Sequence, residues 1–218
     1  MNAGSYSMAY IMDSKISDLP KNIAVTVDDV SFNVVAMSDT TTVKREKGWF
    51  LPLVLVTVWN SKNNCTQGKS MIEEDIPSFF KGSLRQEISR SGDFKVDTLN
   101  ISDYSVELSI DELKTEGPYV SSGFFYFALY AYGYSYSDRA GPAHSTLKVS
   151  YKLKKGDQLI HSNTFTSEKI TEQINRKYTS INMLQQDYAI SMVEATSYNF
   201  KNTIQQIVND LNTFFAGS

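Results

Sequence analysis

From Ile23 the chain alternates, with Ile23, Val25 and Val27 at one parity and Ala24, Thr26 and Asp28 at the other. A period of two puts these sets on opposite sides of an extended chain and predicts a strand. Val30, Phe32 and the Val34–Val35 pair continue it past a bulge at Asp28–Asp29. A polar segment, Ser38 to Lys47, follows. Trp49 to Trp59 is apolar but for Thr57, and its β-branched residues after Pro52 predict one buried strand, with Pro52 at its start where a missing N–H costs least. A lipid-dipping or partner-docking loop is the functional reading of the same run.

The period then changes. Ile76, Phe79, Phe80, Leu84 and Ile88 recur at helical spacing, Asp75 is placed to cap the N-terminus, and Pro77 falls in the first turn. Gly92 is a natural stop, and Phe94 and Val96 begin a return strand. Tyr104, Val106, Leu108 and Ile110 alternate again. Gly123 to Tyr136 reads as one long aromatic strand. Leu147 to Leu153 and Leu159 to Phe165 form a hairpin about Gly156–Asp157, which supplies the positive φ of a tight turn. Between Asp157 and Gly217 there is neither Gly nor Pro, and Leu184, Tyr188, Met192, Phe200, Ile204, Val208, Leu211 and Phe215 mark a long amphipathic helix, broken near Ser197. Strands, a helix, more strands and a helix predict an α+β fold. The expected form is a single antiparallel sheet with both helices on one face, covering residues 23–218 after a loosely ordered lead, 1–22.

At 218 residues, with 41% hydrophobic side chains, the chain can bury one sizeable core. A net charge of −3 gives no case for nucleic acid, and the concentrated basic run Lys44, Arg45 and Lys47 is interrupted by Glu46. The lone Cys65 excludes an internal disulfide and, with only His144 and His161 to help, a zinc site. Beside Asn64 and Thr66 it reads as a free thiol in a polar loop, without surroundings that would activate it. The longest apolar run is about half of the roughly 20 residues that a membrane helix needs. Residues 1–22 carry no basic start and apolar run, so the chain is either cytosolic or begins after a removed export signal.

No catalytic or cofactor motif stands out. Gly68-Lys69-Ser70 ends like a phosphate loop but lacks the upstream glycine. Carboxylates cluster at Glu73-Glu74-Asp75, where they favour a helix start, and at Asp111-Glu112. A hydrolase acting on glycans with Glu73 and Asp111 is the enzymatic alternative to a binding protein. The feature that rises above background is Phe124 to Tyr136. As one strand, its odd positions Phe125, Phe127, Leu129, Ala131, Gly133 and Ser135 face the core and fade outward. Its even positions then form a ladder of Tyr130, Tyr132, Tyr134 and Tyr136, a candidate partner-binding surface lined with the Asp138–Gly141 loop.

With the helix stop at Ser89-Arg90-Ser91-Gly92-Asp93-Phe94-Lys95-Val96, the order of elements resembles a group of bacterial envelope lipoproteins. That group includes the ABC-type transport auxiliary and small outer-membrane assembly lipoproteins. Ile23–Phe32, Ile76–Ser91, Tyr104–Phe165 and Leu184–Phe215 match its strand, helix, meander and C-terminal helix, while Trp49–Trp59 is an addition. The resemblance implies a periplasmic or outer-membrane-anchored protein with an anchor Cys before residue 1. It implies an envelope protein or amphipathic ligand as partner and supplies no catalytic residues, and a cytosolic interaction module is the remaining alternative.

Overall fold

The computed structural model describes residues 4–18, 22–32, 49–51, 54–99, 101–176 and 181–217. Val34–Val35, the polar segment Ser38–Lys47 and Pro52 lie outside them. One strand organises the sheet. This strand, β5 (Tyr104–Ala128), is long enough to take different neighbours along its two halves. It follows β1 (Ala24–Phe32), β2 (Trp49–Leu51), β3 (Val54–Thr66), the helix α1 (Ile76–Ser91) and β4 (Lys95–Val96). After it come β6 (Ala131–Ala140), β7 (His144–Lys155), β8 (Gln158–Ile170), β9 (Ile174–Arg176) and the helix α2 (Ile181–Ala216). The first half of β5 lies between β1 and β7, with β4 and β8 outside them. Its second half lies between β3 and β6, with β2 and β9 outside those.

The α+β class stands, but the sheet is mixed: β1 runs parallel to both β4 and β5, while the remaining pairings are antiparallel. The bulge expected at Asp28–Asp29 is where the β1–β5 register shifts, between Val27 and Val30. It keeps Val25, Val27 and Val30 all buried. A second shift between Ile110 and Glu112 moves the buried parity of β5 from even to odd, from Val106, Leu108 and Ile110 to Leu113, Thr115 and Tyr119.

Val106, Leu108, Ile110 and Leu113 meet α1 and α2 in one apolar cluster. Phe80, Leu84 and Ile88 of α1 and Phe200, Ile204 and Val208 of α2 are buried in it with Val106, Ile110, Val149 and Leu153. The opposite side of this half of the sheet carries Glu107, Asp111, Lys148 and Lys152, so both helices cover the same face. Asp75 caps α1 by accepting from the Ser78 N–H at 3.2 Å. Gly92 ends it without a left-handed turn, at φ −74°; a Cβ there would meet the Ile88 carbonyl oxygen at 2.6 Å. Gly156 does take the positive φ, 56°, that the β7–β8 hairpin requires. The expected break near Ser197 is absent. The Thr196 and Ser197 hydroxyls bond back to the Met192 and Val193 carbonyls at 3.0 and 2.9 Å, and α2 runs unbroken for 36 residues.

A second cluster, Cys65, Tyr119, Ala140, Leu184, Tyr188 and Met192, fills the space under the start of α2. A buried polar layer lies between the two. Asn199 donates to the Ser145 carbonyl and hydroxyl at 3.0 and 2.9 Å and accepts from Ser167 at 2.9 Å. Thr115 bonds Ser145 at 2.7 Å and Thr196 at 2.9 Å, and Thr196 donates to Gln67 at 2.7 Å. Cys65 is thus on β3 and buried, contrary to the loop thiol read from its polar neighbours. Burial pushes its thiol pKa up, which suppresses the reactive thiolate. We expect Cys65 in the folded protein to resist thiol reagents at neutral pH and to label in denaturant, as mass spectrometry would show. Cys65→Ser places a hydroxyl in this apolar cluster and should lower stability by about 1–2 kcal/mol, seen as an earlier denaturation midpoint.

Candidate functional site

The second half of β5 carries its neighbours beyond the helices, and there the chain has no charge. No charged residue occurs between Tyr119 and Asp138, nor between Trp49 and Lys62. Gly123 to Tyr136 is not one strand. It folds back at the two-residue turn Leu129–Tyr130, so that β5 and β6 form a hairpin. The turn reverses the expected parity. Phe127 pairs with Tyr132, Phe125 with Tyr134 and Gly123 with Tyr136, so the odd residues of β5 share a face with the even residues of β6. Across β5, Leu55, Thr57 and Trp59 of β3 join that face. Phe124 and Tyr126 share the other face with Val56, Val58, Gly133 and Ser135.

The first of these faces continues the helix-covered side of the sheet. It passes from Tyr119 and Ala140, buried beneath α2, through half-buried Tyr136 to Tyr134, Tyr132 and Phe127, which are 59%, 71% and 52% exposed. The other face is apolar too, with Val58 and Phe124 both exposed. Trp49–Trp59, expected as one buried strand, is instead distributed over the β2–β3 hairpin, and Leu55 and Val58 are exposed. The pattern alone could not show this, because a run apolar at both parities reads the same whether its two faces are buried or wet.

Aromatic rings brace both faces against glycines. A Cβ at Gly123 would meet the Trp59 ring at 2.2 Å, and one at Gly133 would meet the Tyr126 ring at 2.3 Å. Rings also stack along strands, Phe124 on Tyr126 and Tyr134 on Tyr136, each with centroids 6.5 Å apart. Of the four tyrosines singled out in the sequence, Tyr132, Tyr134 and Tyr136 therefore share a face, while Tyr130 sits at the turn and is 98% exposed. Asp138 to Ala140 continue β6 and pair with β9, so they form no loop.

Other polar groups gather elsewhere. Glu73 accepts from Ser5 and Ser7, whereas Asp111 accepts from Ser109 and Ser150 on the sheet's polar side. The fold does not bring the two carboxylates to one site. Asp210 on α2 accepts from Tyr151, Asn163 and His161, the last at 3.0 Å, a constellation that no local spacing in the sequence reveals. Burial alone would raise the Asp210 pKa, but these hydrogen bonds outweigh it and hold the carboxyl below its ordinary 3.8. A depressed carboxylate pKa contributes stability above the unfolded value that is lost as pH falls through the folded one. The stability gap between wild type and Asp210→Asn should therefore narrow below about pH 4, measurable by urea titrations at stepped pH.

The lead segment also forms a groove with α2, of about 510 Å³, lined by Tyr6, Ala9, Ile11, Val193, Tyr198 and Lys201. It is held by hydrogen bonds such as Tyr10 to Glu87 at 2.6 Å and Met8 N–H to Glu74 at 2.9 Å. Among the described residues, no group of His, Cys, Asp and Glu is gathered as a metal site, and no helix is long and apolar enough to cross a membrane.

No family model matches the chain, and no curated protein sequence does. Among solved structures it is similar to protein XCC0632 from Xanthomonas campestris, of the family described as DUF330. The two share 11% identity with a TM-score of 0.49, over 95% of this chain and 94% of that one. It is also similar to a Helicobacter pylori protein described as a homolog of the neuraminyllactose-binding hemagglutinin. There the identity is 12% and the TM-score 0.35, over 93% of this chain and 92% of that one.

Proposed function

We propose that this chain is a non-enzymatic, envelope-associated binding or scaffold protein that contacts another protein or an amphipathic ligand through the distal sheet formed by β2, β3, β6 and the end of β5. The observation that carries this reading is the sheet itself, uncharged and aromatic on both faces, with no helix over its outer half among the described residues. Contiguous exposed apolar surface of this kind marks contact sites, and Tyr and Trp supply large contact area at low entropic cost. The envelope assignment rests on the resemblance in element order.

The test uses tagged full-length chain and a detergent-solubilised envelope fraction. Phe127→Ser with Tyr130→Ser removes two exposed rings near the tip and should leave melting unchanged. Each anchor contributes more than about 1 kcal/mol of binding, about fivefold or more in Kd. Loss of the co-purifying partner is the expected result. An undiminished partner would remove the distal sheet from the reading. The groove beside α2 favours a second site for an amphipathic ligand, because its volume and mainly apolar lining suit one acyl-chain-sized molecule.

A further inference from the structure

The faces of the distal sheet are side-chain surface, but its margin is backbone. The Gly141 N–H donates to the Pro118 carbonyl at 2.8 Å, which fixes the parity of the β5–β6 ladder. Odd residues of β6 bond toward β5, and even residues turn their N–H and C=O outward. At Asp138 and Ala140 these outward groups face β9, paired at Arg176 and Ile174. At Tyr132 and Tyr134 no strand among the described residues takes them up. Such an edge is normally blunted by a charge, a proline or a bulge. Residues 131–135 contain no charge or proline, and their register with β5 is unbroken.

We propose that this edge pairs with the same edge of a second copy, antiparallel, about a two-fold axis at Gly133. This deepens the binding reading above by naming one occupant of the same sheet, but it rests on the edge. The reason for choosing a second copy is that the segment is self-complementary. Ala131-Tyr132-Gly133-Tyr134-Ser135 reads as small, Tyr, Gly, Tyr, small in both directions. About Gly133, Tyr132 of one copy lies opposite Tyr134 of the other, twice. Both pairs present the outward N–H and C=O, so four backbone hydrogen bonds form and the tyrosines meet as cross-strand pairs. Gly133 opposes Gly133 at the close, non-hydrogen-bonded position, where the absent side chain leaves the space that Tyr126 already fills from its own copy. An isologous pairing of this kind closes, using up the edge in both partners.

Two measurements test it on the full chain. In sedimentation equilibrium the wild type should dimerise. Tyr134→Pro removes one outward N–H without touching the β5 ladder and should be monomeric, whereas Tyr134→Thr keeps the N–H and should remain dimeric. A wild type that is monomeric up to about 100 μM, well above the micromolar Kd of a modest interface, would overturn the proposal. So would a dimeric Tyr134→Pro. Should that variant not fold, disulfide trapping decides. Ala131 and Ser135 of opposite copies sit about 4.5 Å apart between Cα atoms, within disulfide range. Ala131→Cys combined with Ser135→Cys should give a covalent dimer on oxidation, and neither single substitution should. Failure of the double variant to cross-link would contradict the register. Capture of an envelope partner by the Tyr134 variants is scored apart, because it reports on the faces and leaves the edge result unchanged.

Discussion

Phe200→Ala should cost about 3–5 kcal/mol, the range for emptying a large buried aromatic site. Phe200 is fully buried on α2, its ring edge-on to Phe80 of α1 at 5.5 Å and to Phe79 at 5.9 Å. It is where the two helices meet above the sheet. Neither helix can move alone to fill the space, because α1 rests on β1 and β4 while α2 rests on β7 and β8. Cavity formation therefore adds to the lost transfer free energy. Urea denaturation should show an earlier midpoint with an unchanged slope. A cost under about 1 kcal/mol would mean that the helices do not share a core at this point, and the joint packing of α1 and α2 would be wrong.

Asn199→Leu should be the next most damaging, at about 2–4 kcal/mol, even though leucine is close to asparagine in size. The loss comes from what is left behind. The Ser145 carbonyl loses its donor from Asn199, and the Ser145 and Ser167 hydroxyls each lose a bond in a layer without exposure to water. An unsatisfied buried group costs about 1–3 kcal/mol. Removing the neighbours as well, with Ser145→Ala and Ser167→Ala, should recover part of the loss, because fewer polar groups are then stranded. A triple variant no better than Asn199→Leu would show that the layer acts through packing and not through its hydrogen bonds.

Much of the fold was legible because one-sided burial leaves a period in the sequence. The helix from Ile76 has a single apolar stripe, a capping Asp75 and a terminal Gly92, and it occupies the residues those signals delimit. The β7–β8 hairpin was legible for the same reason: Leu147, Val149, Tyr151 and Leu153 face the core while Lys148 and Lys152 face water. The distal sheet was legible as chemistry but not as geometry. Its residues are aromatic on both sides, so no period fixes the register, and the turn at Leu129–Tyr130 holds none of the Gly, Asn or Asp that mark a tight hairpin. Reading through that turn placed Phe125 and Phe127 beneath the helices, whereas Phe127 lies exposed beside Tyr132. The parallel pairing of β1 was equally hidden, because strand direction within a sheet leaves no mark on alternation. The Asp210 constellation joins β7, β8 and α2, and only the fold brings its members together.

These corrections sharpen the functional reading. As a single strand the tyrosine ladder had one free side; as a hairpin flanked by β3 it is a sheet with two, reaching beyond the helices. Hydrogen–deuterium exchange of the full chain, free and bound to its captured envelope partner, addresses that surface directly. Protection on binding should concentrate in residues 54–59 and 124–136. Protection confined to residues 6–11 and 190–201, along the groove beside α2, would contradict the assignment of the distal sheet as the contact surface.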